Sequence, residues 1–297
     1  MQIHNLVPLG PKVTMKIGGK ARYFADLKTP KDAEEAHEFA QKQNLPLIAL
    51  GAGSNTIFAD GIIEAVVVTV KANAFEVNGS VVRAEAGLPL ATLVTKLIAH
   101  GLDLSALTGI PGTVGGAIFG NAGQGPQGVW LDHFVDRVTA FVDGEWKSLT
   151  RSECQFKYRE SIFKHWPPSS KLQAPNSPLI WEVLLEVPKR PKAEITADID
   201  RLLKRRLEAQ PFARTAGSCF KALPDGTPAW KAIEAAELKG KKIGGVGVSE
   251  KHANFLISQE GGTFADTLSL VAEVREKTKL PMELEMRLID EEGKIVL

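Results

Sequence analysis

The spacing of apolar and polar residues changes repeatedly along the chain, and each change marks an element. The stretch "TPKDAEEAHEFAQKQN" reads as a helix, with Thr29 as N-cap, Pro30 at the first helical position and Asp32 completing a capping box. It runs into an apolar strand, "LPLIAL", which ends at "GAGSNTIFADG", a loop rich in Gly, Ser and Asn. Strands "AVVVTV" and "VVRAEAG" follow, then an amphipathic helix near "PLATLVTKLIAHG". "FVDRVTAFVDGEWKSLT" holds two alternating runs joined at Asp143-Gly144, a strong hairpin signal. "LIWEVLLEV" is another strand, and "PKRPK" from Pro188 reads as a linker. Beyond it the pattern predicts helices over "ITADIDRLLKRRLEAQ", "TPAWKAIEAAEL" with Thr227 and Pro228 at its start, and "TFADTLSLVAEVREKTKL" with a Thr263/Asp266 capping box. "NFLIS" and "MELEMRLID" are the strands expected there. There is no internal repeat.

Composition narrows the function classes. With 297 residues the chain is long enough for two or three domains, and a net charge of +1 with pI near 7.8 provides no basic field for nucleic acid. No run approaches the roughly 20 apolar residues of a membrane span, and "MQIHNLVPLGPKV" lacks the regions of a signal peptide, so a cytoplasmic location is expected. Two cysteines, Cys154 and Cys219, make no disulfide framework, and no Cys/His spacing suits zinc, so no metal is expected.

The stretch "GIPGTVGGAIFGNAGQGPQG" (109–128) has eight glycines in twenty residues, a density that argues against any regular element there. Backbone N–H groups approach a phosphate closely only where no side chain intervenes. Both "LGAGSN" and "GIPGTVGG" follow an α/β element, and together they suggest a phosphorylated cofactor, although each alone reads as a tight turn. "GQGPQG" fits a dinucleotide fingerprint by letters, but Pro126 sits inside it and no strand–helix pair frames it. No phosphate-binding G-x-x-x-x-G-K-[ST] occurs.

"IGGKARYFADL", "LGAGSNTIFAD", "TGIPGTVGGAIFGNAG", "YRESIFK", "AGSCFK", "ELKGKKIGGVGVSEKHANFLIS" and "LEMRLI" occur in this order over nearly the whole chain. In this respect the chain resembles the UDP-N-acetylenolpyruvoylglucosamine reductase (UDP-N-acetylmuramate dehydrogenase) family. The resemblance implies an α+β chain with a two-part FAD-binding domain of the vanillyl-alcohol oxidase type, residues 1–65 and 66–190, and a smaller α/β substrate-binding domain, 191–297. It places Gly51, Gly53, Ser54 and Asn55 on one side of the FAD diphosphate and Pro111, Gly112, Thr113, Gly115 and Gly116 on the other, with Asn121 and Gly123 as further candidates.

The implied reaction passes hydride from NADPH by way of FAD to the terminal methylene carbon of UDP-N-acetylglucosamine enolpyruvate, in peptidoglycan precursor synthesis. Negative charge then develops beside the substrate carboxylate, and the site must spread it and supply a proton. The resemblance assigns Arg159 to the carboxylate, Ser218 to the proton and Glu285 to stabilising the intermediate or relaying a proton through water. Tyr158 and Lys221 are implied contacts of the carboxylate or diphosphate, and Lys239 of the UDP phosphates. Taken singly, Arg159 is a surface ion pair, Ser218 a turn residue, and Glu283 and Arg287 partners in a ladder on one strand face. Cys219 reads as a buried hydrophobe and His252 as a packing residue.

In two places the chain departs from the family pattern. "ALPDGTP" stands where the family continues with Asn-Pro, removing an amide that helps hold the nucleotide. The only tyrosines are Tyr23 and Tyr158, which matches the class lacking a tyrosine lid loop. The expected partners are small molecules only, and the expected state is a monomer. The alternative readings are another FAD-dependent oxidoreductase of the same fold and a non-catalytic nucleotide-binding protein.

Overall fold

The computed structural model describes residues 1–124, 128–166 and 177–296. Six α-helices are assigned among them: α1 Pro30–Gln43, α2 Leu90–Leu97, α3 Val114–Phe119, α4 Lys192–Ala209, α5 Ala229–Ala235 and α6 Phe264–Thr278. The chain divides into two compact units. The first comprises Met1–His4, Tyr23–Gly51 and Ala65–Arg205, and the second Asn5–Arg22, Ala52–Glu64 and Arg206–Leu297.

The first unit is organised by a five-stranded antiparallel sheet in the order Phe75–Asn78, Val81–Glu85, Leu179–Glu186, Val135–Val142, Glu145–Thr150. The predicted hairpin closes its edge, with Asp143 and Gly144 both at positive φ (53° and 85°) as a two-residue hairpin turn requires. One core packs this sheet against α2 and α3 through Val82, Leu90, Leu93, Leu97, Ile118, Val138 and Leu185. A second core sets Ala33, Ala36 and Ala40 of α1 against Val66, Val68 and Trp181. Strand Leu47–Ala49 lies parallel to Val66–Val68 in register. The α1 start follows the expected chemistry: Thr29 accepts from the Asp32 N–H while Asp32 accepts from Thr29 N–H, and Asn44 closes the helix at φ 53°.

The second unit carries an antiparallel sheet in the order Thr215–Ser218, Phe255–Ser258, Val246–Val248, Lys242–Ile243. It also has a smaller sheet in which Arg287–Ile289 runs parallel to Thr56–Phe58 and antiparallel to Ile295–Val296. The capping box of α6 forms as expected between Thr263 and Asp266.

Several expectations need correction. The glycine-dense stretch is not wholly irregular, because α3 begins at its middle. Thr113 caps Gly116 N–H at 3.2 Å, and Val114, Ala117 and Ile118 enter the core. Burying three apolar side chains outweighs the roughly 1 kcal/mol penalty of each helical glycine. "PKRPK" is not a loose linker: Leu102 and Lys189 pair as an isolated bridge, Arg190 N–H bonds Gly101 O at 2.9 Å, and Arg190 also pairs with Asp103, Glu194 and Asp198. The loop "GAGSNTIFADG" contains the short strand Thr56–Phe58. Pro228, not Thr227, stands at the N-cap of α5. The expected strand over "MELEMRLID" shrinks to Arg287–Ile289, so the same-face argument for Glu283 and Arg287 fails. Residues 125–127 of the rejected fingerprint lie outside the described residues.

Candidate active site

In the first unit the structure gathers Asn121, Gly123, Tyr158 and Arg159. Lys157 and Glu160 exchange backbone hydrogen bonds at 3.1 and 3.0 Å, making Tyr158-Arg159 the two central residues of a tight turn. Arg159 has φ 56°, the left-handed region that a turn ordinarily assigns to glycine at this place. Such a conformation costs about 1–2 kcal/mol, so neighbours must hold it. Lys164 Nζ donates to Arg159 O at 2.6 Å, Arg159 Nη2 donates to Gly123 O at 2.8 Å, and the guanidinium carbon stands 5.6 Å over the Tyr158 ring. Tyr158 in turn lies 5.7 Å from Trp130. Gly123 is required there, since a Cβ on it would stand 2.1 Å from Trp130 Cδ1.

Asn121 is fully buried at φ 42°. Its Nδ2 donates to Lys157 O at 2.9 Å and its Oδ1 accepts from Asp132 N–H at 3.1 Å. Both ends of the amide therefore bind the protein, and its evident effect is on the Tyr158-Arg159 turn.

Within the first unit, Gly51 meets the second glycine loop. A Cβ built on Gly51 would lie 3.1 Å from Thr113 Oγ1 and 3.8 Å from Gly116 Cα, and both glycines are exposed. Gly112 has φ +125° and Pro111 is exposed beside it. The first-turn amides of α3 are used internally: Val114 N–H bonds Leu88 O at 2.8 Å, Gly115 N–H bonds Ala86 O at 2.9 Å, and Gly116 N–H bonds Thr113 Oγ1. Gly115 permits that approach, since its Cβ would meet Ala86 Cβ at 2.8 Å. What the cradle offers a ligand is therefore bare Cα surface that any side chain would fill, and this fits the close passage of a flavin nucleotide's diphosphate.

The second unit gathers Gly53, Ser54, Asn55, Ser218, Lys221 and Glu285. Gly53 has φ +66°, and a Cβ on it would stand 2.4 Å from Lys12 O, so both its backbone and its surroundings call for glycine. Its carbonyl accepts from Thr14 N–H at 3.0 Å, and Thr14 Oγ1 donates to Thr215 O at 2.6 Å. Asn55 Nδ2 donates to Ala216 O at 3.1 Å, while Asn55 O accepts from Arg287 N–H at 2.9 Å. The loop of Gly53–Asn55 is thus laced to the strand that ends in Ser218. On the other side of that strand's exit, Glu285 N–H donates to Cys219 O at 2.8 Å and Lys221 N–H to Glu283 O at 2.8 Å.

Lys221 is buried and its Nζ pairs with Glu283 at 2.6 Å. Arg287 lies deep enough for desolvation to bring its pKa down to about 10, which leaves it protonated at neutral pH. Burial pushes the Cys219 thiol well up, so it is an inert apolar group. His252 packs on Phe255 at 4.7 Å, and burial lowers its pKa. Lys239 pairs with Glu234 at 3.1 Å. Sequence reasoning missed Thr14, Trp130 and Lys164. Their value lies wholly in what the fold sets beside them, and no local motif marks them.

A family model described as an FAD binding domain matches residues 21–148. With the glycine cradle, this defines the class: an FAD-dependent oxidoreductase with an α+β fold. A second model, the C-terminal domain of UDP-N-acetylenolpyruvoylglucosamine reductase, matches residues 209–289. Curated relatives of that name from Thermotoga maritima and Aquifex aeolicus are 37% and 35% identical to this chain. The first alignment covers 90% of each chain, the second 97% of this chain and 95% of the relative. The crystal structure of UDP-N-acetylenolpyruvylglucosamine reductase from Thermus caldophilus is 30% identical, covers 97% of this chain and 99% of its own, and superposes with a TM-score of 0.83. The chain belongs to the UDP-N-acetylenolpyruvoylglucosamine reductase family.

Proposed function

We propose that this enzyme reduces UDP-N-acetylglucosamine enolpyruvate to UDP-N-acetylmuramate, with NADPH as the electron donor. Bound FAD supplies the hydride relay. Arg159 pairs with the substrate carboxylate and spreads the charge that develops beside it, a task suited to a planar, permanently charged guanidinium. Ser218 Oγ gives its proton to the carbanionic carbon, and Glu285 stabilises the charge or returns the proton through a water. Tyr158 orients Arg159 and the substrate, while Lys221 and Lys239 meet the diphosphate. Gly51, Gly53, Ser54, Asn55, Pro111, Gly112, Thr113, Gly115 and Gly116 face the cofactor, and Gly123 serves it by holding Arg159. The proposed division is 1–65 and 66–190 for FAD and 191–297 for the UDP-sugar, in a cytoplasmic monomer.

Besides family membership, one observation carries this reading: Ser218 and Glu285 are joined across Cys219 by the 2.8 Å bond from Glu285 N–H. The decisive experiment is anaerobic. NADPH should bleach the yellow flavin, and UDP-N-acetylglucosamine enolpyruvate should restore it with UDP-N-acetylmuramate formed. A flavin that bleaches but ignores this acceptor moves the chain to another FAD-dependent oxidation or reduction. Ser218→Ala should leave bleaching intact and slow the return by about 10²–10⁴-fold. Equal slowing of both halves removes Ser218 from the proton step.

A further inference from the structure

The strand carrying Ser218 ends in an unusual way. Thr215 pairs with Ile257 and Ser218 with Phe255, with a register shift between them where Gly217 takes φ 79°. Immediately beyond Ser218 the regular ladder stops, and one side chain replaces it. Cys219 N–H donates to the backbone carbonyl of Asn254 at 2.8 Å. Phe220 N–H donates to Asn254 Oδ1 at 3.0 Å, and Asn254 Nδ2 donates back to Phe220 O at 2.8 Å. The Asn254 amide thereby acts as the missing strand neighbour for Phe220. The opposite edge of the same segment is taken by Leu284, which bridges Phe220, and by Glu285, whose N–H is held by Cys219 O.

We infer that Asn254 is a positioning residue whose side chain sets the orientation of Ser218 Oγ and, through Cys219, of Glu285. The inference rests on the roles proposed above for those two residues. The physical requirement is specific: the group at 254 must accept one hydrogen bond and donate another in one plane, inside a site only 6% exposed. An ionised carboxylate accepts but cannot donate, and it would face Phe220 O as a second acceptor. A leucine of similar volume does neither and leaves two buried backbone groups without partners. A proton donor displaced by about 1 Å loses on the order of 100-fold in rate, while contacts made elsewhere to the nucleotide and sugar are unaffected.

The test compares Asn254→Asp and Asn254→Leu with Ser218→Ala in the flavin-loaded enzyme. Flavin content and bleaching by NADPH should stay within about twofold of the parent, and the return of the flavin spectrum with UDP-N-acetylglucosamine enolpyruvate should slow by about 100-fold with little change in KM. Hydrogen exchange at the Cys219 and Phe220 amides should accelerate in both Asn254 variants and remain unchanged in Ser218→Ala. Should the leucine variant not fold, the aspartate variant decides alone. A normal rate of return in the Asn254 variants beside a slow Ser218→Ala overturns the inference, as does equal slowing of both half-reactions. A normal rate of return in Ser218→Ala overturns the proposed role of Ser218 and this inference with it.

Discussion

Arg159 shows how much of a site is decided by atoms that are far apart in sequence. Its positive φ is held by Lys164 at its carbonyl and Gly123 at its guanidinium, and Gly123 is glycine because Trp130 lies against it. Gly123→Ala forces a Cβ into Trp130 Cδ1 at 2.1 Å and Val129 O at 2.7 Å. Overpacking of this kind costs about 1–3 kcal/mol. Urea unfolding should show that loss, and KM for the enolpyruvyl substrate should rise as Arg159 loses its acceptor. A variant as stable and as active as the parent would remove Gly123 from this role.

At the level of elements, local chemistry succeeds wherever it is self-contained. The capping boxes Thr29/Asp32 and Thr263/Asp266 need only four consecutive residues, and both form as read. Thr29→Ala and Thr263→Ala should each cost about 1 kcal/mol, measured as a lower denaturation midpoint at unchanged slope. A change in slope would show instead that helix loss breaks the cooperative transition. Local chemistry fails where burial overrides it. Glycine density argued against a helix at 114–119, yet Thr113 caps one and Val114, Ala117 and Ile118 bury its face. The alternation in "MELEMRLID" suggested one long strand, but Leu284 pairs with Phe220 and only Arg287–Ile289 finds a ladder. Glu283 consequently stands exposed on Lys221, while the partly buried Arg287 anchors Asn55 through its backbone.

For the whole molecule, two histidines, His37 buried and His252 partly buried, set part of the response to acid. Burial holds the pKa of His37, which packs on Phe141, and of His252 below the ordinary 6.5, against the opposing pull of Asp143 on His37. The unfolded chain takes up protons at these groups before the folded one does. Their contribution is therefore complete above about pH 6.5 and is lost as pH falls through the lowered values. Tm should fall between about pH 7.5 and pH 5.5, and His37→Gln with His252→Gln should flatten that slope. An unchanged slope would assign the acid response to other groups. FAD at about one hundred times its Kd should add ~2.7 kcal/mol of stability, seen as a Tm several degrees higher than that of flavin-free protein. Equal melting with and without FAD would mean that the cradle does not bind it.

The sequence by itself determined the features whose cause is local or whose order along the chain is distinctive: the capped helices α1 and α6, the Asp143-Gly144 hairpin, and the motifs that mark an FAD-dependent reductase. Tertiary structure alone decided how those motifs become groups of atoms. It set Asn254 against Phe220, Lys164 and Gly123 on Arg159, Thr14 between Gly53 and Thr215, and Glu285 on Cys219. The reason is physical. A cap or a two-residue turn is satisfied within one helical turn of chain, whereas a buried backbone donor must find its acceptor wherever the packed core presents one.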